Sequence, residues 1–247
     1  MINTIMPALP LASLWQAFWA SNLMGQTIVV IQLIGSVLVW TIMVGKGHEL
    51  RAMERGSRRF LKNFMAGSGV IDLYLDKGVQ LDKTPLSVIY QHTCKRLVRL
   101  FDRDTRAALI GKDAAAENAA LTAKEIELLS GTAEHILAEQ VVRAESGMNS
   151  LATATTAAPL IGLLGTVWGV LDAFHVMGIK GSVQLAEIAP ALSAAMLTTV
   201  VGLLVAIPSG IGYNILQGIV RRSVIEMEGF VDELTGRIAC EFQGGGN

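Results

Sequence analysis

The chain has 247 residues, of which 51% are hydrophobic and only 17% charged, with a formal net charge of -1. Soluble domains usually carry about 25% charged residues, so an ordinary globular enzyme is a poor fit. The near-neutral balance, with no basic patch interleaved with aromatics, gives no sign of nucleic-acid binding.

Lys46 is the first charged residue, so the apolar start has no positive n-region and does not read as a signal peptide. Leu11, Leu14, Trp15, Phe18 and Trp19 recur at helical spacing. Two tryptophans and a phenylalanine on a short amphipathic turn suit the membrane–water boundary. Residues 1–22 are therefore expected to form a periplasmic interfacial helix.

Residues 23–45 form the first expected transmembrane helix, with Gln32 and Thr41 as its polar, uncharged members. Lys46, Arg51, Arg55, Arg58, Arg59 and Lys62 follow it directly. Basic residues collect on the cytoplasmic side, so 46–145 are expected to be a cytoplasmic helical domain. Within it Gly67-Ser-Gly69 breaks the helix, Val70–Asp76 reads as a short helix stopped by Gly78, and Pro85 opens a longer one. That one carries Val88, Leu97, Leu100 and Phe101. An Ala-rich stretch, Asp113–Ala120, comes next. No alternating strand pattern is present. Cys94 and Cys240 both fall in segments placed in the cytoplasm and read as packing thiols.

Thr122-Ala-Lys-Glu125 is a capping box. From there nothing in the sequence stops a helix until Gly178, with Pro159 expected only to kink it. Such a helix would be about 80 Å long. Ile126, Leu129, Ala133, Ile136, Leu137 and Val141 mark the buried side of its first half. Ser146–Leu171 has no charged residue and gives about 39 Å of helix against a hydrocarbon core of about 30 Å. The second transmembrane helix is accordingly placed at 146–178. A periplasmic loop is expected at 179–187, holding Lys180 as its only base. The third transmembrane helix, 188–218, begins near Pro190. Its helix is expected to run on through Arg221 to about Cys240, as the cytoplasmic C-terminal helix, 219–247, which carries Arg221 and Arg222. The expected topology is N-terminus outside and C-terminus inside.

Motifs of catalysis are missing: no H-E-x-x-H, no paired cysteines, no P-loop, no G-x-S-x-G. His48, His92, His135 and His175 lack ligand spacing. Asp172 and His175 share a helix face, which suits an interfacial polar cap better than a metal or proton site. Neither an enzyme, a metal nor a cofactor is expected.

What the spans do contain is small residues at three- and four-residue steps. Ala158, Gly162, Gly165 or Thr166, and Gly169 do this in the second span, beside Pro159. Ala195, Thr198 or Thr199, Gly202, Ala206, and Ser209 or Gly210 do it in the third, beside Pro208. In lipid no hydrophobic force drives helices together, and small residues let backbones approach. These positions are expected at helix contacts.

Pro159–Phe174, PLIGLLGTVWGVLDAF, and the segment APALSAAMLTTVVGLLVAIPSGIGYN within Leu185–Asn214 closely resemble the TolQ/ExbB/MotA family of ion-driven motor subunits, nearest to its TolQ and ExbB branch. The resemblance is dense over both spans and thin over residues 1–125. It implies an all-α integral membrane protein of three transmembrane helices with long cytoplasmic extensions, assembling as a pentameric ring in a bacterial inner membrane. The ring would surround the single spans of an ExbD- or TolR-like partner bearing a transmembrane Asp. Proton or sodium flow would then energise a TonB- or TolA-like protein. Thr166 and Thr199 match the family threonines that line the ion path and face the partner helix.

The residues themselves add one constraint. Between Ser146 and Val220 the only acids are Asp172 and Glu187, both toward the outer face. A threonine does not ionise near neutral pH, and a proton relay through hydrocarbon needs an ionisable group at mid-depth. The carrier should be a carboxylate on another chain. One departure from the family stands out. Its span-three glutamate is replaced here by Ala194, beside Ser193, which leaves the ion open between proton and sodium. It also favours the alternative of a non-conducting scaffold ring. A solute transporter is disfavoured, since no inverted repeat or buried charge is present.

Overall fold

The structure, a computed structural model, describes residues 15, 18, 19, 21–67, 69–75, 84–101, 105, 120–181 and 184–242. Among them the regular structure is helical: α1 (Leu23–Ala66), α2 (Asp72–Leu75), α3 (Pro85–Leu100), α4 (Ala123–Glu145), α5 (Met148–Lys180) and α6 (Leu185–Phe242). Three stretches are long and apolar enough to cross a membrane: Leu23–Ala66, Ala123–Lys180 and Leu185–Phe242. Only 22%, 17% and 33% of their most apolar windows are buried. Val37, Leu164 and Leu204 stand more than half exposed, as expected of side chains that face lipid or another helix.

The chain divides into two compact units, Met1–Lys46 with Gly147–Ile215, and Gly47–Ser146 with Leu216–Asn247. The second unit is built around an apolar core. α3 opens as Pro85 predicts, and Thr84 adds a cap: its hydroxyl accepts the Ser87 N–H at 3.3 Å, and Ser87 Oγ accepts the Thr84 N–H at 3.1 Å. α4 opens on the Thr122–Glu125 box, with both reciprocal bonds present. Those bonds from Thr122, backbone first and then hydroxyl, hold the Glu125 carboxyl below the usual carboxylate range. Leu129, Ala133 and Ile136 enter the core, and Ile126, Leu137 and Val141 pack on its margin. Phe60, Phe64, Tyr90 and Phe230 form an aromatic group with centroids 5.1–6.3 Å apart. The Tyr90 hydroxyl donates to Val70 O at 2.6 Å, and Glu241 accepts the Val70 N–H at 2.8 Å. Burial raises the Tyr90 phenol and pushes the Cys94 thiol up to about 12. Both cysteines are free, Cys94 buried and Cys240 exposed.

Three expectations need correction. The long helix from Thr122 does not run unbroken to Gly178. It stops at Glu145 and restarts at Met148, because Gly147 takes a left-handed conformation, φ 82°. Glycine accepts that conformation without the Cβ clash other residues suffer. Pro159, by contrast, lies inside the uninterrupted α5. The last helix begins at Leu185, before the expected start near Pro190, and passes Pro190 and Pro208 to run on past Arg221, as expected, to Phe242. Each proline removes one N–H without ending the helix. The short helix after Gly69 begins at Asp72, two residues later than expected, and is described to Leu75. Of the expected interfacial helix, Trp15, Phe18 and Trp19 are described, with ring centroids 5.7–6.2 Å apart. Residues 1–14, 16, 17 and 20 of it, Gly78, and the Ala-rich stretch up to Asn118 and Ala119 lie outside the described residues.

Candidate functional site

In the membrane-spanning unit, α5 and α6 cross antiparallel, and the small residues make the crossing possible. A Cβ on Gly162 would stand 2.8 Å from Thr198 O and 2.9 Å from Thr199 Cα; one on Gly202 would stand 2.6 Å from Ala158 O. Gly165 lies under the Thr198 side chain and Gly169 against Ala195. Ala206 is buried with Ala158 and Val205, while Pro159 and Pro208 are half-buried. The expected stripe thus forms a contact inside one chain, between its own second and third spans. Close approach of backbones is what holds such helices in lipid.

The two candidate threonines behave differently. Thr166 is half-buried, and its hydroxyl donates to Leu163 O at 2.7 Å in its own helix. Thr199 is also half-buried as a residue, but its Oγ1 is turned inward and has no hydrogen-bond partner among the described residues. Its neighbour Thr198 is fully buried and lies 2.9 Å from Gly162 O and 2.7 Å from Ala195 O. That hydroxyl ties α6 to α5, so the two adjacent threonines divide into a structural tie and an unengaged hydroxyl. A helical hydroxyl normally bonds a carbonyl one turn back, as Thr41 does to Val37 O at 2.8 Å. Thr199 departs from that habit.

Sequence reading treated Gln32 only as a polar member of span one. In the structure it is 4% exposed and reaches from α1 to the α5/α6 crossing. Its Nε2 donates to Ala158 O at 3.3 Å and lies 2.9 Å from where a Gly202 side chain would begin. The amide oxygen Oε1 is buried and unpartnered. Leaving such an acceptor unpaired costs about 1–3 kcal/mol. The signal available beforehand was the amide itself, since a strongly polar side chain inside an apolar span is expensive to keep there.

Toward the other end of α5, the Asn22 amide donates to the Asp172 carboxylate. Lys180 and Glu187 approach to 3.4 Å across the link between α5 and α6, both more than half exposed. Among the described residues no group of His, Cys, Asp and Glu is arranged to hold a metal ion. Ala194 is 2% exposed, packed in the unit's interior. The chemistry on offer between the spans is therefore hydroxyl, amide and backbone carbonyl, with no carboxylate among the groups at the crossing.

Comparison with known proteins gives one family. The model described as the MotA/TolQ/ExbB proton channel family matches residues 104–229. The chain is 29% identical over 225 residues to the Tol-Pal system protein TolQ of Haemophilus influenzae, covering 88% of this chain and 90% of that protein. Against TolQ of Pseudomonas aeruginosa it is 27% identical over 206 residues, 82% of each chain. The biopolymer transport protein ExbB of Aquifex aeolicus is 46% identical over 78 residues, 32% of this chain and 53% of that one.

Proposed function

This chain belongs to the MotA/TolQ/ExbB proton channel family, and we propose from that premise that it is the ring-forming subunit of an ion-driven motor. It is a multi-pass membrane protein of a bacterial inner-membrane family, and proteins of this family are channels and not enzymes. In our reading five copies surround the spans of an ExbD- or TolR-like partner, and ion flow energises a TonB- or TolA-like protein. Its N-terminus is periplasmic and its C-terminus cytoplasmic, following the basic residues after spans one and three.

One observation carries the reading: the Thr199 hydroxyl is buried in the membrane-spanning unit and, among the described residues, engaged by nothing, whereas Thr198 beside it is tied to α5. A hydroxyl can accept from a carboxylic acid or pass a hydrogen bond to water, but it cannot release a proton near neutral pH. With Asp172 and Glu187 the only acids between Ser146 and Val220, the mobile proton rides on the partner's carboxyl group. The membrane potential supplies about 2.3 kcal/mol per charge per 100 mV, enough to bias a step.

Proteoliposomes test this. Chain and partner together should carry protons under an imposed potential, and this chain alone should not. Thr199→Val keeps the shape and removes the hydroxyl, and should lower flux and energised function. Equal flux from this chain alone, or full function in Thr199→Val, would refute the assignment. Ala194, in the place of the family's glutamate, supports a second reading as a non-conducting scaffold ring. That reading requires an assembled complex with no flux above empty liposomes.

A further inference from the structure

Gln32 and Thr199 both approach one bare position of α5, Gly162. Thr199 Cα lies 2.9 Å, and Gln32 Nε2 3.3 Å, from the point where a Gly162 side chain would begin. Gln32 Oε1 and Thr199 Oγ1 are both buried without a hydrogen-bond partner among the described residues. The orientation of the amide is set by its other half, because Nε2 is the atom that can donate to Ala158 O. Oε1 is then an acceptor only, and it needs a donor. Thr199 does not reach it directly, since the two make no hydrogen bond. Polar groups near each other but beyond direct reach are commonly joined by water, which binds where several buried polar atoms lack partners.

From this we infer that Gln32 and Thr199 hold one water molecule between the three spans, and that Gln32 is a positioning residue for the Thr199 hydroxyl. The hydrogen bonds have a direction. Gln32 Oε1 can only accept, so the water donates a hydrogen bond to it, and the water oxygen accepts from the Thr199 O–H. The lone pairs of Thr199 Oγ1 are thereby left for an outside donor. Under the motor reading, on which this last step rests, that donor is the protonated carboxyl group of the partner helix. Without Gln32 the hydroxyl would turn back onto a carbonyl of α6, as Thr198 does onto Ala195 O.

Two measurements decide it. A cryo-electron microscopy map of the assembled protein, at a resolution that shows ordered water, should have a peak within hydrogen-bond distance of both Gln32 Oε1 and Thr199 Oγ1. A direct protein donor on Oε1, or no peak there, would overturn the site whatever the chain's function. The second measurement is a mutant cycle on partner-coupled proton flux, normalised to assembled complex. Gln32→Leu and Thr199→Val should each lower flux about tenfold, the worth of one hydrogen bond. The double variant should lose no more than the worse single one, because both act through one path. Losses that multiply would mean that Gln32 serves α1 packing alone, and the positioning role would be wrong. Gln32→Glu, which as a neutral acid can both donate to Ala158 O and accept from water, should retain flux and guards against a mere folding defect in Gln32→Leu. Absence of flux in the wild type would refute the motor reading and leave the water site to the map.

Discussion

Exchanging one methyl group between spans two and three tests the crossing that positions Thr199. A Cβ on Gly169 would stand 2.4 Å from Ala195 Cβ and 3.3 Å from Ala195 Cα, with Ala191 O next at 3.9 Å. Ala195 is 4% exposed, so it has little room to withdraw. Gly169→Ala therefore overpacks, at about 1–3 kcal/mol, partly offset by about 1 kcal/mol of helix propensity. Ala195→Gly loses about 1 kcal/mol of propensity and under about 1 kcal/mol of methyl packing. Acting independently, the two changes would destabilise by about 3 kcal/mol in sum. In the double variant the methyl has only changed helices and the propensities cancel, so it should lie within about 1 kcal/mol of wild type, a coupling of about 2 kcal/mol. Unfolding of the purified protein in detergent, followed by the fluorescence of nearby Trp168, gives the cycle. A double variant as unstable as the sum of its parents would show that Gly169 does not face Ala195.

Other outcomes follow from the second unit and the interhelical break. Cys240 should react quickly with a maleimide, whereas Cys94, 0% exposed and with its thiol pushed up to about 12 by burial, should react only on unfolding. Because the folded state holds the Cys94 proton more tightly than an unfolded thiol of about 8.5, its contribution is whole below about pH 8.5 and declines as pH rises toward 12. Cys94→Ala should remove that part of the alkaline slope in a denaturant titration. Thr84→Ala should cost about 1 kcal/mol and speed hydrogen exchange at the first amides of α3, Ser87 above all. Gly147→Ala should cost about 1–2 kcal/mol through its left-handed backbone, and Gly147→Asn less. The nearest atom to a new Cβ there is Ile42 Cγ2 at 3.9 Å, so space is not the obstacle.

Much of this protein was legible before any coordinates. The charge-free runs set the spans, because hydrocarbon admits only a backbone that closes its own hydrogen bonds. Thr122 and Glu125 marked the start of α4, because a capping box acts within one turn. The small-residue stripe announced a helix contact, and the residues of spans two and three announced the family. These are local or one-dimensional properties, and a chain carries them in plain order.

Tertiary structure decided the remainder. Small residues say that a helix approaches, but only the crossing shows that Gly162, Gly165 and Gly169 meet Thr198, Thr199 and Ala195 of the same chain. The small-residue stripe alone offered Thr198 or Thr199, since both are hydroxyls on one helix, and only the family resemblance picked out Thr199. Their hydrogen bonding differs because one hydroxyl points at Gly162 O and the other does not. The stop at Gly147 is a matter of one backbone angle in a residue compatible with either course. Gln32 became informative only when α1 carried it 126 positions along the chain to Ala158. Which donors and acceptors meet depends on packing in three dimensions, and hydrogen bonding is too short in range for composition or spacing to reveal it.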